Sequence, residues 1–186
     1  MNRVNVIGSS GSGKSFVADA VSRVLGLPLV RLDALRHGTG WTEVPDGLFT
    51  ARVADAAVGD RWVMDGNYLL VRRLIWERAD TVIWTDLELR TVMPQVVWRS
   101  LRDWATRHEP IPGNPERLRD FVQPSHPIRW AWSNHACYRK RDEQWLSDPR
   151  WAHLNVIRLK SRAEVHKFIR ALELRTASDS QSSSSR

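Results

Sequence analysis

A glycine-rich segment near the amino end constrains the fold of this chain more than any other feature. Residues 8–15 are Gly-Ser-Ser-Gly-Ser-Gly-Lys-Ser, which matches the pattern GxxxxGK[ST], and they follow an apolar stretch, Val4 to Ile7, that is typical of a buried strand. Glycine tolerates positive φ, so successive N–H groups of such a loop can point into one concavity, where the next helix adds partial positive charge. The segment predicts a strand, an anion-binding loop and a helix, in that order.

The loop also predicts which residues contact a nucleotide. Lys14 is expected to reach the β- and γ-phosphates of ATP, and the Ser15 hydroxyl is expected to bind Mg²⁺. The residues expected to bind the cofactor are Gly8, Ser10, Gly11, Ser12, Gly13, Lys14, Ser15 and Phe16. A plain Gly/Ser turn is the alternative interpretation, and the flanking strand and helix argue against it.

Strand-like and helix-like segments alternate through most of the chain, which is typical of an α/β fold with a parallel sheet. Strands are predicted near residues 4–7, 28–32, 62–64, 81–84 and 154–159. Helices are predicted near residues 14–25, 49–58, 68–78, 87–106, 128–146 and 163–174. A chain of 186 residues is long enough for one well-buried core, so we expect a single domain over residues 1–175.

Two segments lack this periodicity. The stretch 108–127 contains five prolines and no sustained pattern, so it predicts an irregular lid over about residues 107–127. The tail, residues 176–186, is rich in serine and has no apolar anchor, which predicts disorder.

Composition limits the partners and the location. The formal charge of +7 and the isoelectric point near 10.4 favour acidic ligands: nucleotides, phosphorylated substrates or nucleic acid. Only four of the 28 basic residues are lysines, and this arginine excess suits phosphate binding and biased codon usage equally well. Apolar runs are too short to span a membrane, no secretory signal precedes the first strand, and Cys137 is the only cysteine. We therefore expect a cytoplasmic protein.

Acidic residues follow several predicted strands, where ligands of parallel sheets bind. Asp65 is predicted to hold Mg²⁺ directly or through water, with Gly66 leaving room for a ligand, and a helix N-cap is the alternative role. Asp86 is a weaker metal candidate that fits an N-cap equally well. Asp33 is predicted to accept a hydrogen bond from a substrate hydroxyl and act as general base, and a solvated loop aspartate is the alternative.

Cationic side chains are needed to neutralise a transferring phosphoryl group. We expect Arg99 and Arg102, on the polar side of the helix near 87–106, and Arg107 at the start of the lid to do this. The apolar side of that helix is predicted to contain Met93, Val97, Leu101 and Trp104. Further candidates for phosphate contacts are Arg36, Arg72, Arg73, Arg117 and Arg119, and Trp41 is a candidate for stacking on a ring.

Several motifs together resemble a known family. Beside the loop, these are Leu32-Asp33-Ala34-Leu35, Gly40-Trp41, Arg61-Trp62-Val63-Met64-Asp65-Gly66-Asn67-Tyr68 and Ala79-Asp80-Thr81-Val82-Ile83-Trp84. With them, residues 3–172 resemble the P-loop kinase-like family labelled DNA topology modulation protein, which is similar to adenylate kinases. The resemblance implies the P-loop fold of nucleoside-monophosphate kinases: a five-stranded parallel sheet in the order 2-3-1-4-5, an arginine-bearing lid and ATP as donor.

One departure from adenylate kinases bears on the acceptor. Those enzymes carry an arginine soon after the Asp-Gly pair, whereas this chain has Asn67 and Tyr68 there. An aspartate at the end of strand two, such as Asp33, is similar to that of kinases acting on hydroxylated metabolites. The resemblance therefore favours a hydroxyl acceptor and leaves a nucleoside monophosphate open.

Two functional hypotheses follow from the sequence. The first is ATP- and Mg²⁺-dependent phosphoryl transfer to a small molecule: a hydroxyl metabolite, a nucleoside or a nucleoside monophosphate. The second is a nucleic-acid-associated protein with a regulatory nucleotide site, suggested by Arg129-Trp130-Ala131-Trp132 and Tyr138-Arg139-Lys140-Arg141. A core helix with a solvated basic face also explains these residues, because Ile128, Ala131, Trp132 and Ala136 keep helical spacing. The sequence leaves the oligomeric state open.

Overall fold

The computed structural model describes residues 1–106 and 127–183. Within them one five-stranded sheet comprises β1 (Arg3–Gly8), β2 (Leu29–Arg31), β3 (Trp62–Asp65), β4 (Thr81–Thr85) and β5 (Asn155–Leu159). All the strand pairs are parallel, and the order is β2-β3-β1-β4-β5. The predicted α/β fold and its sheet order 2-3-1-4-5 are confirmed.

Helices connect and cover these strands. The α-helices of the described residues are α1 (Lys14–Leu25), α2 (Leu32–Arg36), α3 (Asp46–Ala56), α4 (Leu69–Trp76), α5 (Leu89–Thr106), α6 (Pro127–Leu146) and α7 (Arg162–Ser183). Short 3₁₀ turns occupy Thr39–Trp41 and Pro149–Trp151. In the described part of the chain, no helix combines the length and the apolar character needed to cross a bilayer.

The central strands are apolar on both faces, because helices cover the sheet on both sides. Val63 and Ile83 pack with α1 and α7, whereas the neighbouring Met64 and Trp84 pack with α3, α4 and the residues near Trp151. Alternate residues of one strand thus belong to different halves of the core. This double packing fixes the position of the strand ends, where the predicted site residues lie.

A buried asparagine ties the end of β3 to its neighbours. The Asn5 side-chain amide donates to the carbonyl oxygens of Met64, at 3.0 Å, and Gly66, at 3.4 Å. Its Oδ1 atom accepts a hydrogen bond of 2.9 Å from the Trp76 indole. Because the Asn5 amide is fully hydrogen-bonded inside the core, it holds the backbone on both sides of Asp65 in place.

Two local features differ from the sequence interpretation. Asp33, for which a loop position was the alternative, lies in the first turn of α2. The buried residues of α5 are Val92, Val96, Ser100 and Asp103. Leu101 and Trp104, which were predicted to be on the apolar face, are exposed. Half of the buried α5 residues are polar. The spacing of the apolar residues alone therefore predicted a face of the helix next to the one that is buried.

The chain ends also differ from expectation. Helix α7 continues to Ser183, although the serine-rich composition predicted disorder from residue 176. The Thr176 and Ser178 hydroxyls each donate to the carbonyl four residues earlier. Once a packed first half has nucleated a helix, adding residues is inexpensive, which explains the extension. The lid predicted over 107–127 lies outside the described residues, apart from Pro127.

Candidate active site

Two loop glycines pack where no side chain fits. Gly8 has φ +150°, and a Cβ atom there would lie 2.2 Å from Thr85 Oγ1. Gly11 has φ +77°, and a Cβ atom there would lie 2.1 Å from Val96 Cγ2 on α5. The loop backbone is therefore pressed against the end of β4 and against α5, which leaves it little freedom to change shape.

Ser12 braces this loop from inside. Its side chain is buried, and Ser12 Oγ lies 2.6 Å from Thr85 Oγ1 and 2.8 Å from the Ser9 carbonyl oxygen. The Ser12 N–H also donates to Ser9, at 3.2 Å. The polar atoms of Ser12 are thus engaged within the loop, which makes it a support for the nucleotide contacts predicted for its neighbours.

Asp65 lies near residues at the end of the loop and near Asp33 of α2. Burial raises the pKa of the Asp65 carboxyl, and the nearby Lys14 ammonium and a hydrogen bond with the Ser15 side chain oppose that rise. The Asp33 carboxylate raises the Asp65 pKa further, and Arg31 lowers it. The structure therefore brings Lys14, Ser15 and Asp33 close to Asp65, and the roles given to these four residues stay predictions.

The Asp65 side chain fits a magnesium ligand. Its Oδ1 atom is buried and accepts no hydrogen bond from the residues that the structure describes. Among those residues, no cluster of three or more His, Cys, Asp or Glu side chains is placed to hold a metal. The Asp65 Oδ1 atom is a ligand of the kind that Mg²⁺ takes in proteins, beside phosphate oxygens and water.

Asp33 is exposed beside a tyrosine and a histidine. The Tyr68 hydroxyl donates to Asp33 Oδ1 at 2.7 Å and lies 3.4 Å from His37 Nε2. Burial and the Asp33 carboxylate raise the pKa of Tyr68, so its hydroxyl keeps its proton and remains a donor. Tyr68 thus orients the Asp33 carboxylate, a role that the sequence did not reveal.

Two residues that were predicted to serve a ligand, Arg36 and Gly66, contact other parts of this chain. Arg36 pairs with Glu43 and Asp46 and also bonds the Val44 carbonyl, so its guanidinium is held by its own chain. At Gly66 the space for a side chain is filled by Leu32, whose Cβ would lie 2.7 Å from an added Cβ atom. Gly66 therefore allows β3 to pack against α2, and the prediction that it makes room for a ligand was wrong.

The predicted clamp arginines have different surroundings. Arg99 reaches back from α5 to the loop, with its guanidinium 3.3 Å from Ser10 Oγ. Arg102 pairs with the buried carboxylate of Asp103, at 2.7 Å. Arg107, Arg117 and Arg119 lie outside the described residues. Of the three predicted clamps, Arg99 is the one that the structure places against the loop.

Asp86 does not fit a metal ligand. Its buried carboxylate is bound by Arg139 and Arg158, both at 2.8 Å, so its charge is already neutralised. Asp86 thus joins β4 to α6 and β5, and the weaker of the two metal predictions was wrong.

A buried ion pair lies behind the turn that follows Asp65. Arg72 and Asp142 are both about 2% exposed and lie 2.6 Å apart, and the Arg72 guanidinium stacks on Trp76 and Trp145. The Asn67 amide donates to Asp142 at 2.9 Å and accepts from Arg72. Arg72 is therefore a structural residue, since its Nη2 atom binds Asp142 and Asn67 and its guanidinium lies against two tryptophan rings. Arg73 pairs with Glu77 at the surface.

The basic and aromatic residues of α6 are divided between surface and interior. Trp132 is 68% exposed, so its predicted place in the core was wrong, whereas Ala131 and His135 are buried. Arg139 binds Asp86, and the Arg141 guanidinium lies 3.7 Å from the Tyr138 ring centroid. The second basic motif thus has internal partners, which weakens its case as a nucleic-acid surface.

Phe16 lies on the outer side of α1. Its side chain is 54% exposed, and its ring contacts His166 of α7 edge to face. The nucleotide contact predicted for Phe16 would be made by its backbone N–H, which lies in the first turn of α1, so this contact stays a prediction.

Comparisons with known proteins show the fold. By sequence, no family model and no curated protein matches the chain. Shikimate kinase from Acinetobacter baumannii in complex with shikimate is 12% identical with a TM-score of 0.55, over 96% of this chain and 94% of that one. Shikimate kinase from Aquifex aeolicus vf5 is 13% identical with a TM-score of 0.51, over 96% and 98%.

A putative kinase from Chloroflexus aurantiacus j-10-fl is 15% identical with a TM-score of 0.50, over 92% of this chain and 96% of that one. At these identities the likeness establishes the fold, which this chain shares with P-loop kinases. The resemblance to the family labelled DNA topology modulation protein is not confirmed by these comparisons.

Proposed function

We propose that the protein is a kinase that transfers the γ-phosphoryl group of Mg²⁺–ATP to a hydroxyl group of a small molecule. The observation that carries this proposal is the position of Asp65, whose carboxylate lies close enough to Lys14, Ser15 and Asp33 to be affected by all three. Phosphoryl transfer requires a phosphate site, a metal site and an acceptor site in contact, and these residues supply one group for each.

On the donor side, the loop backbone and Lys14 bind the phosphates. N–H groups of residues 8–15 and the start of α1 attract the β- and γ-phosphates, and Lys14 neutralises their charge. Asp65 and Ser15 would hold Mg²⁺, which screens the charge of the phosphates when bound. Arg99, close to Ser10, adds a second cation on the α5 side, and Arg102 and Arg107 are proposed to neutralise charge on the transferring group.

On the acceptor side, Asp33 takes the proton. Tyr68 holds one carboxylate oxygen of Asp33, and the exposed carboxylate is free to accept a hydrogen bond from the acceptor hydroxyl. As the oxygen of the acceptor hydroxyl bonds to the γ-phosphorus, the hydroxyl proton passes to Asp33. The bond between the γ-phosphorus and ADP breaks in the same step. Asp33 thus orients the nucleophile, and most of the catalysis comes from placement and charge neutralisation.

The fold comparison supports this proposal in a general way. The similar structures described above are kinases or a putative kinase, and one is a complex with shikimate, a hydroxylated small molecule. At 12–15% identity the comparison leaves the acceptor of this chain to be determined by experiment.

The proposal is tested by following phosphate transfer from γ-labelled ATP to hydroxyl metabolites, nucleosides and nucleoside monophosphates. Lys14→Ala should lower the transfer rate by about 10³-fold, corresponding to roughly 4 kcal/mol of transition-state stabilisation. Lys167→Ala, which removes an exposed lysine of α7, is the matched control and should transfer at the normal rate. Equal transfer by the Lys14 and Lys167 variants would refute the assignment.

The nucleic-acid alternative is tested separately by DNA affinity as a function of salt. Tight binding with a steep salt dependence, unaffected by Lys14→Ala, would support it over the kinase proposal.

A further inference from the structure

The acceptor side of the site is acidic, although the chain as a whole carries a formal charge of +7. The described residues around β2, α2 and the start of α3 place five carboxylates near three guanidinium groups. The carboxylates belong to Asp19, Asp33, Glu43, Asp46 and Asp65, and the guanidinium groups to Arg31, Arg36 and Arg52. A bound acceptor would therefore meet an excess of negative charge on this side.

One arginine near the acceptor aspartate is already neutralised. Arg36 lies one helical turn after Asp33 and is only 15% exposed, and its guanidinium binds both Glu43 and Asp46, the latter at 2.7 Å. It also donates to the Val44 carbonyl at 3.2 Å, and it stacks over the Phe49 ring. An anionic group of an acceptor would have to displace one of these carboxylates before Arg36 bound it.

The second arginine is shared in the same way. Arg31 bonds Asp19 at 2.7 Å and approaches Asp65 Oδ2 at 3.5 Å. Strand register fixes this second contact, because Arg31 and Asp65 are paired residues of neighbouring parallel strands. Lys14 faces Asp65 from the loop and is committed to the phosphates of the donor under the proposed function.

The third arginine, Arg52, donates a hydrogen bond of 3.2 Å to the Leu35 carbonyl oxygen. It extends from α3 to the carboxyl-terminal part of α2, and Asp33 lies in the first turn of that helix. The groups described in contact with Asp33 are polar or aromatic: the Tyr68 hydroxyl and, through it, the His37 ring, which packs against Trp41. These groups hydrogen-bond and stack, and none of them supplies a fixed positive charge.

We infer that the acceptor is a hydroxyl compound that is uncharged or cationic, such as a polyol, a sugar, a nucleoside or an amino alcohol. This inference rests on the proposed function and narrows it, because it excludes phosphorylated and carboxylated acceptors. Each anionic group brought to this side meets repulsion from Asp33 and finds Arg31 and Arg36 already paired with carboxylates, whereas a hydroxyl or ammonium group is attracted to the carboxylates.

The test compares acceptors that share a carbon skeleton and differ in charge: adenosine with AMP, glycerol with glycerate, and glucose and glucosamine with gluconate. The unmodified protein with Mg²⁺–ATP should phosphorylate the uncharged or cationic member of a pair with kcat/KM at least about tenfold above the anionic member. An anionic member that is used equally well or better overturns the inference and leaves the proposed function standing. Binding of Mg²⁺–ATP without transfer to any member counts against the proposed function itself.

A pair of substitutions tests the physical cause. Glu43→Gln combined with Asp46→Asn removes both partners of Arg36, and the preference against anions should shrink by at least about threefold. The single change Asp46→Asn, at a side chain that is 68% exposed, is expected to act in the same direction and avoids a folding defect. Glu77→Gln, an exposed acid paired with Arg73, is the control and should leave the preference unchanged. An unchanged preference in the Glu43 and Asp46 variants would overturn the role given to Arg36.

Discussion

The donor side and the acceptor side of the candidate site are built from different parts of the polypeptide. The donor side is backbone from eight consecutive residues, pressed against β4 and α5 at Gly8 and Gly11. The acceptor side is made of side chains from separate elements, among them Asp33 on α2, Tyr68 before α4 and Asp65 on β3. Backbone N–H groups bind any phosphate chain, whereas a set of side chains selects one acceptor, so specificity belongs to the second side.

The two sides also differ in what supports them. Short hydroxyl contacts between Ser12 and Thr85 brace the loop. The turn after Asp65 is supported by the buried Arg72–Asp142 pair through Asn67. If this comparison is correct, substitutions behind the acceptor side should mainly affect the stability of the whole fold, and substitutions in the loop should affect nucleotide binding as well as stability.

The largest expected effect follows removal of the charge on Asp142. Asp142→Asn leaves the Arg72 guanidinium buried without a counter-ion, and the free energy of unfolding should fall by about 3–5 kcal/mol. Urea denaturation followed by circular dichroism measures this change. Asp148→Asn, which affects a more exposed pair with Arg150, should leave the same quantity nearly unchanged. Similar values for the two variants would contradict the structural role of the buried pair.

A glycine substitution in the loop should have the next largest effect. Gly11→Ala adds a methyl group that overlaps Val96 and strains a residue with φ +77°, so the free energy of unfolding should fall by about 2–3 kcal/mol and ATP affinity should be lost. Gly26→Ala is the matched control, because Gly26 has φ +59° and open space around it. Strain alone should cost the control about 1 kcal/mol with ATP affinity intact. Normal ATP binding by Gly11→Ala would show that the loop is not held as described.

Asp65→Asn should abolish phosphoryl transfer and stabilise the fold, and the gain in stability should depend on pH. Burial raises the pKa of Asp65, so the ionised carboxylate destabilises the ligand-free fold, and the asparagine variant should be more stable at pH 7 by about 1 kcal/mol. The difference should shrink once the pH falls below the raised Asp65 pKa, and it should vanish below the ordinary pKa of an aspartate, because the carboxyl is then protonated in both the folded and the unfolded chain. Phosphoryl transfer should be lost at every pH. Urea denaturation at several pH values measures the difference, and a difference that grows on acidification would contradict the sign of the shift.

The smallest expected effect compares two serines of the loop. Ser12→Ala removes a buried hydroxyl with two partners, and it should lower the free energy of unfolding by about 1 kcal/mol. Ser10→Ala removes only the 3.3 Å contact with Arg99 and should change stability by less than about 0.5 kcal/mol. Thermal unfolding of both variants measures the order of the two effects. The reverse order would show that Ser12 does not brace the loop.

The fold and the donor side could be predicted from the sequence because their signals are local. One run of eight residues specifies the loop, and apolar stretches alternating with helical patterns specify the sheet. The positions of Asp33 and Asp65 after strand ends were predictable for the same reason, since parallel strands end at one edge.

The surroundings of those residues were not predictable, because they depend on contacts between distant parts of the chain. Arg36 was expected to bind an acceptor phosphate, and only the folded structure shows that two carboxylates occupy it. Asp86 has the same sequence signature as Asp65, yet Arg139 and Arg158 neutralise it across the fold. Spacing within one segment carries no information about such partners.

The central claim is that Mg²⁺–ATP binds to the donor side alone, whereas phosphoryl transfer needs the donor and acceptor sides together. The affinity for Mg²⁺–ATP in two variants tests this claim most directly. Calorimetry should show that Lys14→Ala weakens binding at least about tenfold, because a phosphate-binding cation is lost. Asp33→Asn should bind Mg²⁺–ATP within about twofold of the normal affinity and yet transfer no phosphate. The account is contradicted if Asp33→Asn loses ATP affinity as severely as Lys14→Ala does, or if Lys14→Ala binds ATP normally.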